Sequence, residues 1–176
     1  YIILTSHNKT AQKINSEKLE ELDTKTYTYT AEVEGNFSAN NFPTKEKLEL
    51  KKGAQVMFIK NDLSFEKRYY NGKIGRITHL DRDSIYVKCP DDELEISVNI
   101  EEWLNVKYKL NEKTKEVEEE VVGSFRQFPL KLAWAITIHK SQGLTFERAI
   151  IDANAAFAHG QVYVALSRCK SFEGIV

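Results

Sequence analysis

Two stretches of the 176-residue sequence hold residue types that can do chemistry. The first, Leu132 to Phe146, reads LAWAITIHKSQGLTF. There an apolar run gives way to Thr137, His139, Lys140, Ser141, Gln142 and Gly143. Hydroxyls, an imidazole, an ammonium and the free amides of a turn are groups that meet phosphate oxygens. Gly143 lets a backbone come close to a ligand. The second stretch, Gly160 to Arg168, reads GQVYVALSR, an apolar run ended by Arg168. A planar, permanently charged guanidinium suits a phosphate at a domain boundary. Taken singly, each residue has a plainer explanation. Thr137 can be a strand residue, His139 and Lys140 can be surface groups, and Arg168 can be a cation favoured by a helix C-terminus.

These groups need elements to position them. Leu130–Thr137 is expected as a buried strand, and ligands of open α/β sheets bind at the C-terminal ends of such strands. Ala149-Ile150-Ile151 fits a second parallel strand. Gln161–Arg168 fits a helix with Val162, Ala165 and Leu166 on one face. At the other end of the chain, Tyr1–Leu4 reads as a strand. It leads to a helix capped by Ser6 or Asn8 that carries Ala11, Ile14, Leu19 and Leu22. Tyr27–Val33 alternates as one more strand.

From about residue 40 the pattern changes. Short β-type runs follow one another at 54–59, 75–80, 84–88, 94–100, 103–110 and 116–122, with turn residues such as Asn71-Gly72 and Asp81-Arg82-Asp83 between them. That spacing predicts a small antiparallel barrel or sandwich. The expected organisation is an α/β domain made of 1–39 and 124–176, interrupted by a β domain at 40–123. Residues 111–120 read as an exposed hairpin. Phe65, Lys67, Arg68, Tyr69, Tyr70 and Lys73 form either a stacking and phosphate surface for a single strand or a plain barrel rim.

Composition narrows the function classes. At 41% hydrophobic and 29% charged, the chain can bury a core and is not a disordered tail. The 25 Lys and Arg against 26 Asp and Glu give −1, which argues against a strongly basic nucleic-acid binder. Residues 124–176 hold six basic and three acidic side chains, so they carry +3 and the rest carries −4. Cys89 and Cys169 stand apart, without metal-ligand spacing, as thiols of a reducing cytoplasm would. No apolar run is long enough for a membrane span. The N-terminus has no signal-peptide pattern and no Met and opens on a strand, so the sequence is expected to be a piece of a longer chain.

Residues 132–146 resemble motif V of superfamily 1 helicases, and residues 160–168 resemble motif VI, in the form found in the Pif and RecD-like branch. Leu48–Met57 and Asn71–Gly75 resemble the entry to that branch's SH3-like insertion, and the opening strand and helix resemble motif IV. The resemblance spans nearly the whole chain. It implies a RecA-like, P-loop NTPase-type C-terminal helicase domain with an inserted SH3-like β barrel. It also implies ATP-driven 5′ to 3′ translocation on single-stranded DNA, unwinding at duplex junctions, and a partner RecA-like domain N-terminal to this sequence. Carried over by residue, it implies strand contacts at Thr137, His139, Lys140 and Ser141, and nucleotide contacts at Gln142 and Gly143. Arg168 is implied as the catalytic arginine on the γ-phosphate. Many relatives have a further arginine after the first strand, where this chain has Asn8.

The sequence contains no G-x-x-x-x-G-K-[ST] loop. ATP and Mg²⁺ are therefore expected to take their main ligands from the N-terminal domain, and this segment alone is expected to be inactive. The alternative is a non-catalytic nucleic-acid- or protein-binding module derived from a helicase. Nothing in the residues separates DNA from RNA.

Overall fold

The computed structural model describes residues 1–90, 92–110, 116–152 and 159–176. Its α/β part is a three-stranded parallel sheet. Strand β1 (Ile2–Thr5) lies in the middle, between β12 (Ala135–Thr137) and β13 (Ala149–Ile151). A parallel strand is covered on both faces, which explains why Ile2, Leu4, Ala135, Ile136 and Ala149 form unbroken apolar runs that are buried. Thr5 pairs in register with Thr137, so the two strands end side by side.

Helix α1 (Asn8–Glu20) packs on β12 and β1 with Ala11 buried and Ile14 and Leu19 half-buried. His7 takes the N-cap position in an extended conformation, and neither expected cap, Ser6 or Asn8, stands there. The side chain of Asn15 reaches from this helix to the open edge of β12. Its Nδ2 donates to the carbonyl of Ala135 at 2.8 Å, and its Oδ1 accepts from the Ala135 amide at 2.9 Å. One side chain thus satisfies both polar groups of an edge residue, as a neighbouring strand would. Helix α2 (His159–Leu166) packs near β13.

The β part holds three antiparallel groups. A five-stranded sheet runs β11 (Leu130–Leu132), β5 (Gln55–Phe58), β6 (Ile74–Leu80), β7 (Ile85–Lys88), β8 (Ile96–Val98). A second sheet runs β3 (Glu32–Gly35), β10 (Val117–Gln127), β9 (Glu101–Leu110). Strands β2 (Thr26–Thr30) and β4 (Lys47–Lys51) form a pair. Val56 and Phe58 enter the core of this part, while the intervening Met57 faces the other way and joins the core of the α/β part with Ile2, Ile136 and Leu144. The expected runs at 54–59, 75–80, 84–88, 94–100, 103–110 and 116–122 all contain strands. The expected strand at Leu94–Ile100 is shortened to Ile96–Val98. The tip of the expected hairpin, 111–115, lies outside the described residues.

Two continuous-looking strands are each divided between sheets. Tyr27–Val33 splits after Ala31, whose amide still continues the β2–β4 ladder to the carbonyl of Glu46 at 2.8 Å, while from Glu32 the chain pairs with β10. Leu130–Thr137 splits at Ala133-Trp134, so β11 belongs to the β part and β12 to the parallel sheet. Gln55 fastens that passage. Its carbonyl accepts the Ala133 amide at 2.9 Å, and its side-chain nitrogen donates to the carbonyls of Ala133 and Tyr1 at 2.8 and 3.1 Å. Strands on both sides of residues 40–123 thus pair with strands inside that span, β2 with β4 and β11 with β5.

Candidate nucleic-acid and nucleotide site

Past Thr137 the chain makes a compact turn to Gly143. The Ser141 amide donates to the carbonyls of Thr137 and Ile138 at 3.0 and 3.2 Å, and the Ser141 hydroxyl donates to the Ile138 carbonyl at 2.7 Å. The Lys140 amide donates to Thr137 Oγ1 at 3.4 Å. Leu144, buried, closes the turn with its amide on the Ser141 carbonyl.

These bonds sort the six residues expected in the turn. Thr137 and Ser141 are 4% and 0% exposed, so they build the turn from within. His139, Lys140, Gln142 and Gly143 are exposed and are what the turn presents. The Ser141 side chain, expected as a strand contact, is buried with its hydroxyl donating to Ile138. Gly143 has φ +79, and a Cβ there would meet nothing within 4 Å. The backbone is open to a close approach, and the conformation itself favours glycine.

Arg168 lies just after α2. Its Nε donates to the Val164 carbonyl at 3.3 Å and its Nη2 to the Ser167 hydroxyl at 3.0 Å. A guanidinium has five N–H donors, so most remain for a ligand. The Arg168 carbonyl accepts the amide of Phe146 at 2.7 Å, and the Lys170 amide donates back to the Phe146 carbonyl at 3.0 Å. Phe146 and Cys169 thereby form a parallel bridge that joins the exposed turn to the arginine through main chain. Neither Cys89 nor Cys169 is in a disulfide.

A groove of about 720 Å³ opens beside the turn. Thr137, Lys140 and Gln142 line one end, α1 lines a wall through Asn8, Gln12 and Asn15, and the β part contributes Thr44, Asn71 and Lys131. Lys131 was not singled out by sequence. It is half-buried, and burial first, then the charge of Lys140, lower its pKa. A lysine between Leu130 and Leu132 in an apolar run was the available signal. Asn15 was also missed, because a polar residue on a helix is ordinary until its partner is known. The Gln161 Oε1 is buried without a partner among the described residues.

Of the residues at 65–73, left open between a stacking surface and a plain barrel rim, three are engaged within the fold. Tyr69 is 3% exposed and stacks on Phe58 at 4.2 Å, and burial, with Glu101 and Asp62 nearby, pushes its phenol up to about 12. Arg68 is bonded to Asp62, and Lys73 to Asp92 at 2.7 Å. Phe65, Lys67 and Tyr70 stay exposed. Among the described residues no three His, Cys, Asp or Glu side chains gather as metal ligands. No described helix is long and apolar enough to cross a membrane.

No protein-family model matches the chain. It is 33% identical over 183 residues to ATP-dependent DNA helicase Pif1 of Campylobacter jejuni, covering 97% of this chain and 40% of that protein. It is 32% identical to human ATP-dependent DNA helicase PIF1, covering 98% of this chain and 26% of that protein. Among solved structures, unliganded Pif1 from Bacteroides sp superimposes over all of this chain and 40% of that one, with TM-score 0.91 and 42% identity. Bacteroides Pif1 bound to ssDNA gives 0.78 at 41% identity, over 100% and 40% of the two chains. The chain thus spans two fifths or less of the relatives' length. At this level of identity over its whole extent, with a matching mixed α/β fold, the chain belongs to the Pif/RecD-like family of DNA helicases and corresponds to their C-terminal part.

Proposed function

We propose that this chain is the C-terminal lobe of an ATP-dependent DNA helicase, and that it couples ATP hydrolysis in the cleft to movement on single-stranded DNA. The observation that carries the reading is the main-chain bridge of Phe146 to Arg168 and Lys170. It makes the phosphate-facing arginine and the exposed turn one rigid body, which is what a coupling device needs. ATP binds between this lobe and an N-terminal RecA-like lobe. Arg168 stabilises charge developing on the γ-phosphate, as arginine fingers do. Gln142 and the open backbone at Gly143 approach the nucleotide. His139 and Lys140 contact the strand directly, while Thr137 and Ser141 hold the turn that presents them. A Mg²⁺ ion accompanying ATP takes its ligands from the nucleotide and the other lobe.

The finer reading of the fold is a discontinuous RecA-like domain with an SH3-like insertion. Topology favours moving the insertion's edges outward from 40–123 to about 26–132. The DNA substrate, 5′ to 3′ direction and action at duplex junctions rest on family likeness. The test uses the intact protein. Arg168→Ala should lower ATPase kcat by roughly a hundredfold or more without unfolding the protein. Near-normal ATPase in that variant refutes the assignment of Arg168, whereas intact wild-type protein without ATPase favours a non-catalytic binding module.

A further inference from the structure

Lys131 is a cation without a counter-charge. It sits on β11, two residues before the passage into β12, and its side chain lines the groove that also contains Lys140. Burying an ammonium is costly unless an anion or hydrogen-bond acceptor compensates. The described structure supplies neither. The charge that acts on Lys131 is another lysine's, and it acts against the protonated form. Glu46 and Glu49 line the same groove but form no ion pair with Lys131. Lys60, by contrast, has Glu101 at 2.8 Å, and Lys73 has Asp92 at 2.7 Å. Lys51 and Lys88, also half-buried, donate to the carbonyls of Leu22 and Glu93 at 2.8 and 2.6 Å. Each of these four half-buried lysines has a carboxylate or a carbonyl as acceptor, and Lys131 has neither among the described residues.

The turn at 138–143 presents Lys140 to the same groove, near enough for its charge to act on Lys131. Two lysines that repel each other and line one groove form a place for a run of phosphates. A polyanion lowers the energy of both charges at once, and it does so without reading sequence. Lys131 pairs with Met57 across β11 and β5 and so shares its face of the sheet, opposite to Leu130 and Leu132, where a stem of four methylenes can lie along apolar surface and hold out the ammonium.

We propose that Lys131 is a second phosphate-contacting residue for the single strand, so that the strand backbone held at the 138–143 turn continues past Lys131 at the junction between the parallel sheet and the β part. This rests on the reading that the turn contacts DNA. It adds that one strand is held by both parts of the fold together.

The test measures binding of a fluorescent oligothymidine to the intact protein over a range of salt, for wild type, Lys131→Met, Lys131→Arg and Lys140→Ala. Met retains the packed stem and removes the charge. Lys131→Met should weaken binding severalfold at low salt and reduce the salt slope by roughly 0.7, the release expected for one phosphate on a single strand. Lys131→Arg should restore the slope. If Lys140→Ala loses slope while Lys131→Met binds as wild type, the Lys131 proposal is overturned and the turn's role stands. If both bind as wild type, the strand-contact reading fails with it. Wild-type protein offers a check independent of folding: acylation of the Lys131 amine, read by mass spectrometry, should be suppressed by oligothymidine, and unchanged labelling counts against the proposal.

Discussion

The amide of Phe146 donates to the carbonyl of Arg168 at 2.7 Å, so the segment that follows the 138–143 turn and Arg168 are neighbours through main chain rather than through side chains. A bond of this kind survives side-chain replacement. Phe146→Leu should therefore leave the bridge in place and cost only the lost packing of a ring that is 3% exposed, about 1 kcal/mol or somewhat more. Pairing Phe146→Leu with Arg168→Ala should then reproduce the ATPase defect of Arg168→Ala alone. ATPase kinetics and thermal unfolding of the single and double variants check this.

Ser141→Ala removes a buried hydroxyl whose one described partner is the Ile138 carbonyl. It should cost about 1 kcal/mol of stability. DNA affinity at temperatures well below unfolding should change less than in Lys140→Ala. Urea denaturation beside oligonucleotide binding separates the two effects. A loss of affinity equal to that of Lys140→Ala, with stability untouched, contradicts the sorting of the turn into builders and presenters.

Asn15→Ala leaves both polar groups of Ala135 without their side-chain partner at the sheet edge. The expected cost is about 1–3 kcal/mol. Asn15→Asp keeps an acceptor for the Ala135 amide but loses the donor to its carbonyl, so it should not recover full stability. Amide exchange at Ala135 reports the amide's bond locally and should accelerate more in Asn15→Ala than in Asn15→Asp, which keeps the acceptor.

Gly72 has φ +98, and a Cβ there would lie 2.7 Å from Leu144 Cδ2, the residue that closes the turn. Gly72→Ala should destabilise by about 1–3 kcal/mol through backbone strain alone, with the clash in addition. Combining it with Leu144→Ala removes the clash but not the strain, so the double variant should be more stable than the two separate costs imply. Strict additivity in a double-mutant cycle would show that the loop does not bear on the turn.

Asp62 accepts from the Ser64 amide and from the amide and Nε of Arg68. Burial pushes its pKa up, but these bonds outweigh burial and hold the carboxyl at about 2 instead of 3.8. A depressed pKa means that the ionised carboxyl stabilises the fold fully above about pH 4, and that this contribution is lost as pH falls through 2. The loop from Asp62 to Arg68 should loosen across that window, seen as faster exchange of the Ser64 and Arg68 amides. Asp62→Asn should abolish the pH step. A loop equally protected at pH 2 and pH 5 would overturn the account.

What was legible in the sequence was chemistry written contiguously. His139 to Gly143 and Arg168 could be picked out because their order along the chain is also their order in the turn and after the helix. The β-type runs between 54 and 122 were legible because strand alternation and turn residues are local properties. Two things were not. The chain changes sheets after Ala31 and at Ala133-Trp134 with no Gly or Pro to mark the change, because each switch is set by partners far away: β10 in one case and Gln55 in the other. The second is the state of individual polar groups. Ser141 looks as exposed as Lys140 in a list of residues, and only the Ile138 carbonyl shows where its hydroxyl went. Lys131 and Asn15 gain their meaning the same way, from a missing partner and from a distant one.

The passage from β11 to β12 has a mechanical consequence. Between Leu132 and Ala135 there are only two residues, and Gln55 pins the first of them to a strand of the β part. At about 3.3 Å per extended residue, a pull on β11 reaches Thr137 over a tether of roughly 17 Å with no slack loop to absorb it. Load borne by the β part therefore arrives at the turn as displacement, and the same tether makes the turn a strain gauge for whatever the β part is carrying.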